Sequence, residues 1–111
     1  MPRITVELRT NANGFFTKTV PYNPPGPFAL TVRLSATLVS PFATGLWGTL
    51  AINSKDGKTT NPRKVFVAWH KEVVPLGPWR LVGGDNIVVV HGFTRPKRPN
   101  AQLVLQVDAS V

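Results

Sequence analysis

The chain has no cysteine, which excludes a disulfide framework and any thiolate metal site and leaves the compartment unreadable from redox chemistry. Acidic residues are scarce. Five Asp and Glu stand against thirteen Lys and Arg, a formal net charge of +8, so few carboxylates are present to act as acid, base or ligand. Asp56 and Asp85 sit beside glycines, where a short carboxylate helps to close a turn through nearby backbone amides. Glu7 lies between arginines and is expected in a solvated cross-strand ion pair; Asp108 falls on a polar face near the chain end. The histidines are His70 and His91. His70 and Glu72 share one face of an extended segment, and with His91 they form a conceivable zinc set, although such residues at period two are ordinary on a sheet surface. No GxSxG elbow or SxxK pair accompanies the serines. "LVGGD" lacks the Lys-Ser/Thr pair of a phosphate loop. The chain therefore reads as non-enzymatic, with no catalytic residue, cofactor or metal expected.

Long apolar runs are also missing. Nothing approaches the ~20 residues of a membrane helix, and MPRITVELRT alternates rather than forming a signal-peptide block. A soluble chain without membrane insertion and without a visible export signal is expected. At 111 residues with 42% hydrophobic content, the expectation is one domain, residues 1–111, able to bury a core.

What is present is alternation at period two. Ile4, Val6 and Leu8 alternate with Arg3, Thr5, Glu7 and Arg9, as in a strand with one face on a core. Asn13-Gly14 is a hairpin signal, and a second strand is expected over 15–22. NPPGP at 23–27 is a stiff connector, because proline lacks an amide donor and restricts the residue before it. The longest alternation, 28–39, would extend roughly 35–40 Å at ~3.3 Å per residue, long enough to bend or to pass between sheets. In 46–53, Leu46, Gly48, Leu50 and Ile52 oppose Trp47, Thr49, Ala51 and Asn53, and Asp56-Gly57 then turns the chain. The run Val65–Trp69 is nearly continuous in apolar residues and predicts a strand covered on both faces, closed by Pro75 and Pro78. A short WRLV piece, a Gly83-Gly84-Asp85 turn and strands over 86–94 and 101–109 complete the pattern. About eight strands with turn signals every ~8 to 14 residues and no helical window predict an all-β, antiparallel β-sandwich of about seven to nine strands, with a partly closed barrel as the alternative.

The closing stretch WRLVGGDNIVVVHGFTRPKRPNAQLVLQVDA resembles the final turn and hairpin of an immunoglobulin-like sandwich module. That resemblance implies an immunoglobulin-like or jelly-roll-like sandwich, while the Cys…Trp…Cys hallmark is absent. It implies little about function, since one fold hosts many.

Candidate contact residues follow from rings and cations. Phe28, Trp69 and one of Phe15 and Phe16 are expected in the core. Trp47 shares its face with Thr49, Ala51 and Asn53, and so marks an interaction surface for a subunit, a sugar or a base. Trp79 beside Arg80 and Trp69 near Lys71 have the same ring-and-cation juxtaposition. Lys55, Lys58, Arg63 and Lys64 form one basic cluster, and Arg95, Lys97 and Arg98 in HGFTRPKRPN form another. The leading expectation is a structural or interaction module that joins other subunits, as a homo-oligomer or in a virion, decoration layer, filament or surface assembly. The alternatives are a polyanion binder, for nucleic acid or acidic glycan, and a Trp47-centred carbohydrate-binding module.

Overall fold

A computed structural model describes residues 3–23, 29–41, 43–58 and 60–110. Eight strands follow in order: β1 (Arg3–Arg9), β2 (Phe15–Tyr22), β3 (Ala29–Val39), β4 (Gly45–Ser54), β5 (Lys64–Trp69), β6 (Val73–Val82), β7 (Asn86–Arg95) and β8 (Gln102–Ser110). They form two four-stranded antiparallel sheets, a first in the order β1-β8-β3-β6 and a second in the order β2-β7-β4-β5. The NPPGP connector beyond Asn23 and the expected core residue Phe28 lie outside the described residues.

The connectivity corrects the immunoglobulin-like expectation. Of the seven connections, only β4 to β5 stays within one sheet; every other passes from one sheet to the other, which is the winding of an eight-stranded jelly roll. Asn13-Gly14 is therefore not the tip of a paired hairpin. It is a corner between sheets, with Gly14 at φ +80° and the Asn11 side-chain oxygen accepting from the Asn13 and Phe15 amides. The expected closing hairpin is likewise two strands in different sheets, since β7 pairs with β2 and β4 while β8 pairs with β1 and β3. The long strand β3 does not change sheets. The terminal strands β1 and β8 pair with each other, Arg3 opposite Asp108 through Arg9 opposite Gln102.

Alternation sends Ile4, Val6 and Leu8 of β1, Leu103, Leu105 and Val107 of β8, and Leu34, Ala36 and Leu38 of β3 inward. They meet Phe16, Val88, Val90, Leu46, Leu50, Ile52, Phe66 and Ala68 of the second sheet. Burying such a side chain contributes about 1.5–3 kcal/mol each, so both inner faces must be apolar together.

Proline is tolerated only where a ladder has a free side. Pro21 lies within β2, as the expected strand over 15–22 requires, and Pro75 and Pro78 lie within β6 rather than closing the strand before it; both are edge strands. β6 also carries a bulge. Leu34 faces Gly77 and Ser35 faces Pro75, leaving Leu76 as an extra residue, with Gly77 at φ +79°. The extra residue shifts the phase by one, so Leu76, Trp79 and Leu81 all turn into the core. Trp79, expected beside Arg80 as a contact ring, is a core residue whose indole N–H donates to the Leu76 carbonyl at 3.1 Å.

A candidate saccharide-binding face on the second sheet

The outward positions of the second sheet line up in rows across four strands. One row is Phe15, Phe93, Trp47 and Val67, fixed by the pairings Phe15–Phe93, Phe93–Trp47 and Trp47–Val67. The next is Thr17, His91, Thr49 and Val65. Phase puts the first row in solvent: Phe15 is 50% and Trp47 40% exposed. Trp47 therefore stands where its polar and small neighbours in phase indicate.

The rings form a shelf. Trp47 and Phe93 lie 6.3 Å apart between centroids at 15° to one another, and Phe15 tilts against Phe93 at 5.7 Å and 57°. Between them Gly48 and Gly92 face each other across β4 and β7. A Cβ on Gly92 would lie 2.1 Å from the Trp47 carbonyl oxygen and 2.6 Å from the Gly48 Cα, so no other residue fits this backbone. The close approach leaves a recess of about 360 Å³ on the outer face, lined by Phe15, Trp47, Thr49, Val65, His91 and Phe93 among others. A second recess of about 260 Å³ continues along the sheet past Thr17, Ala51, Asn53, Val89 and Arg63, sharing Thr49 and His91 with the first.

β5 departs from expectation. It is an edge strand covered on one face only: Phe66 and Ala68 are buried, whereas Val65 is 81% exposed and Val67 and Trp69 also face solvent. Trp69, expected in the core, lies over Gly45 on the outer face, where a Cβ on Gly45 would come within 2.9 Å of the ring.

The two basic clusters separate. Arg95 ends β7, Lys97 and Arg98 belong to the β7–β8 connection, and Lys55 and Lys58 belong to the β4–β5 connection at the far end of β4. Arg95 faces the shelf, its guanidinium carbon 5.4 Å from the centre of the Trp47 ring, a cation–π contact. Arg98 is a clamp: its amide donates to Thr94 Oγ1 at 2.8 Å, its guanidinium to the Ala43 carbonyl at 3.2 Å, and its carbonyl accepts from Thr10 Oγ1. Lys97 is exposed, with its stem against Gly14. Thr44 Oγ1 bonds the Pro96 carbonyl and the Ala101 amide donates to Thr10 Oγ1, so the loop stitches three corners together. Lys64 lies against Gly77 beside β6, and Arg63 alone of the first cluster reaches the outer face.

The remaining titratable groups do not converge. His91 Nδ1 lies 3.0 Å from Thr17 Oγ1, His70 bridges to Leu38 at the opposite end of β5, and among the described residues no three His, Asp or Glu side chains are placed to share a metal. Asp56 accepts from the Lys58 amide and Ser54 hydroxyl, which together hold its carboxyl below the usual range. It thus serves its turn, as expected. The cross-strand ion pair forms between Arg3 and Asp108, at 2.7 Å, rather than at Glu7. No helix among the described residues is long and apolar enough to cross a membrane.

The chain matches no family model and no curated protein. Its fold, however, is found among solved structures. It is similar to part of a Podospora anserina GH26-CBM35 β-(1,4)-mannanase, with a TM-score of 0.53, 11% identity, and coverage of 98% of this chain and 28% of that one. At that identity the likeness concerns the β-sandwich alone. The aromatic shelf is a property of this chain's own residues. Its Trp47 and Arg95 were legible in the sequence, as was a ring at one of Phe15 and Phe16 outside the core, whereas Phe93 and the Gly48–Gly92 pair were not, because only pairing across β2, β7 and β4 makes them neighbours.

Proposed function

We propose that this chain is a non-catalytic binding module that takes an extended saccharide on the outer face of the second sheet. The observation that carries the reading is the solvent-facing row Phe15–Phe93–Trp47 beside the polar row Thr17–His91–Thr49, along two connected recesses. A pyranose ring has apolar C–H faces and polar edges. A flat ring shelf receives the faces, and the flanking hydroxyls, imidazole and amide receive the edges. The recess is too open and too poor in carboxylates for hydrolysis, which needs two positioned acids. The similarity of fold to a mannanase that carries a CBM35 module is in keeping with this reading.

The test is a titration of immobilised and soluble polysaccharides, with Trp47→Ala as the control. Binding is expected to fall at least ~10-fold, equivalent to 1.4 kcal/mol, while the circular dichroism spectrum is kept. Unchanged affinity in Trp47→Ala would remove the shelf as the site.

A second reading, docking of further protein subunits, is favoured by one observation. The edge strand β5 shows an outward apolar row, with Val65 81% exposed. Light scattering over a range of concentrations tests it: a monomer at every concentration removes self-assembly, and Val65→Lys should dissolve any oligomer built on this edge.

A further inference from the structure

We infer that the saccharide is an acidic one, carrying carboxylate or sulfate groups at intervals along the chain. The inference rests on the binding face proposed above and adds the charge of its ligand.

The four strands of the second sheet contain no Asp or Glu at all, whereas the first sheet carries Glu7 on β1 and Asp108 on β8. Two arginines reach the face: Arg95 against Trp47 at one end, and Arg63 in the second recess beside His91 and Asn53. Neither takes part in an ion pair among the described residues. The Arg3 guanidinium, by contrast, is engaged by Asp108 on the other sheet. A planar guanidinium presents a fork of donors matched to carboxylate or sulfate oxygens, and one held over the Trp47 ring stays at the end of the shelf while an adjoining sugar lies along Phe93 and Phe15. With a net charge of +8, the chain also draws an anionic polymer toward it from a distance.

The spacing of the cations separates glycan from nucleic acid. Arg95 pairs with Gly45, and Arg63 precedes Lys64, which pairs with Leu50. The two arginine backbones therefore stand about 20 Å apart, taking ~3.3 Å per residue along β4, with both side chains reaching toward the rows between them. A nucleic-acid strand bears a phosphate on every nucleotide and is tracked by a near-continuous line of cations with bases stacked between them. Two arginines at this spacing, with threonines between them, match a chain whose charges are sparse and whose remaining groups are hydroxyls.

The experiment compares matched polymers on the full chain: sparsely de-esterified polygalacturonate against its fully methyl-esterified form, dextran sulfate of low substitution against dextran, and oligo-dT as the nucleic-acid probe. The charged glycans are expected to bind at least ~10-fold more tightly than their neutral partners, with affinity falling as salt rises. The first pair reads carboxylate and the second sulfate recognition. The double substitution Arg63→Gln with Arg95→Gln should abolish this preference and flatten the salt dependence, with an unchanged melting curve, while Lys55→Gln with Lys58→Gln, at positions that line neither recess, leaves it intact. Equal binding of the sparsely de-esterified and fully esterified polygalacturonate, and of dextran and dextran sulfate, overturns the charge inference and leaves the saccharide face standing. Tighter binding of oligo-dT than of any glycan overturns it in favour of single-stranded nucleic acid. If no polysaccharide binds at all, the saccharide reading falls with it.

Discussion

The two outer faces of the sandwich are built on the same alternation and differ in what it displays. On the first sheet the outward positions include Arg3, Thr5, Glu7 and Arg9 of β1, Gln102, Val104, Gln106 and Asp108 of β8, Arg33, Ser35, Thr37 and Val39 of β3, and Val73 and Arg80 of β6. That surface carries single valines but, among the described residues, no exposed ring; it is mostly polar, contains both charges and closes one ion pair on itself. On the second sheet the same phase displays Phe15, Phe93, Trp47, Trp69, Val65 and Val67, with arginine and no acid. Water is the natural partner of the first face. The second leaves rings and valines in water, at a free-energy cost that a bound ligand would relieve. The contrast locates function better than net charge does, since the cations lie on both faces.

Five substitutions sharpen or break this contrast, from the largest expected effect downward. Trp79→Ala removes the largest of the core rings and should destabilise the chain by about 3–5 kcal/mol in urea or thermal unfolding, the usual cost of emptying a core aromatic site. A loss as small as that of Trp47→Ala would refute the bulge at Gly77 as the device that turns this ring inward. Gly92→Ala should come next, at about 2–3 kcal/mol, because the new Cβ collides with the β4 backbone rather than with a movable side chain. Its damage should centre on the second face, seen as shifted amide resonances along β4 and β7 with little change on β1. Trp47→Ala should cost about 1 kcal/mol of stability or less, the worth of an exposed aromatic contact, while removing binding.

The smallest effects belong to the exposed carboxylates. The folded-state value of Asp56 is depressed, so its contribution is fully present above the unfolded-state carboxyl value and is lost as pH falls through the folded one. Asp56→Asn should flatten the acid limb of the stability profile through a small loss at neutral pH that disappears below the folded-state value. Arg3→Gln, which breaks a solvent-exposed pair, should move the melting midpoint by no resolvable amount at physiological salt. A clear drop there would show that the first face is more than a solvated surface.

Much of this fold was legible because period two is a strong local signal. The strand over 15–22 matches β2, and the inward set Leu46, Leu50 and Ile52 was given by phase, as was the outward Trp47. Trp69 was misplaced for a definite reason. The run Val65–Trp69 is apolar at every position, and such a run is what a doubly covered strand shows, yet β5 lies at an edge with one face open. Trp79 was misplaced because one extra residue inverts the phase, and the cause, Gly77 in a left-handed conformation, is a glycine between two prolines that reads equally well as a break. The basic loop 95–98 divided in a way composition does not encode: Arg98 turned to the Ala43 carbonyl and Arg95 to a ring, each through a partner distant in the chain.

The sequence by itself determined that this protein is built of strands, where most of them lie, and which side of each is apolar, because those properties depend on residues two apart and on turn chemistry. Which sheet each strand joins was decided only by the tertiary structure. Asn13-Gly14, Gly83-Gly84-Asp85 and the proline loop at 96–99 carry the signals of turns, and a turn signal is the same whether the next strand pairs with the last or crosses to the opposite layer. That choice rests on burying both apolar faces at once, a condition on the whole chain, and it is the same choice that sets Phe15, Phe93 and Trp47 side by side.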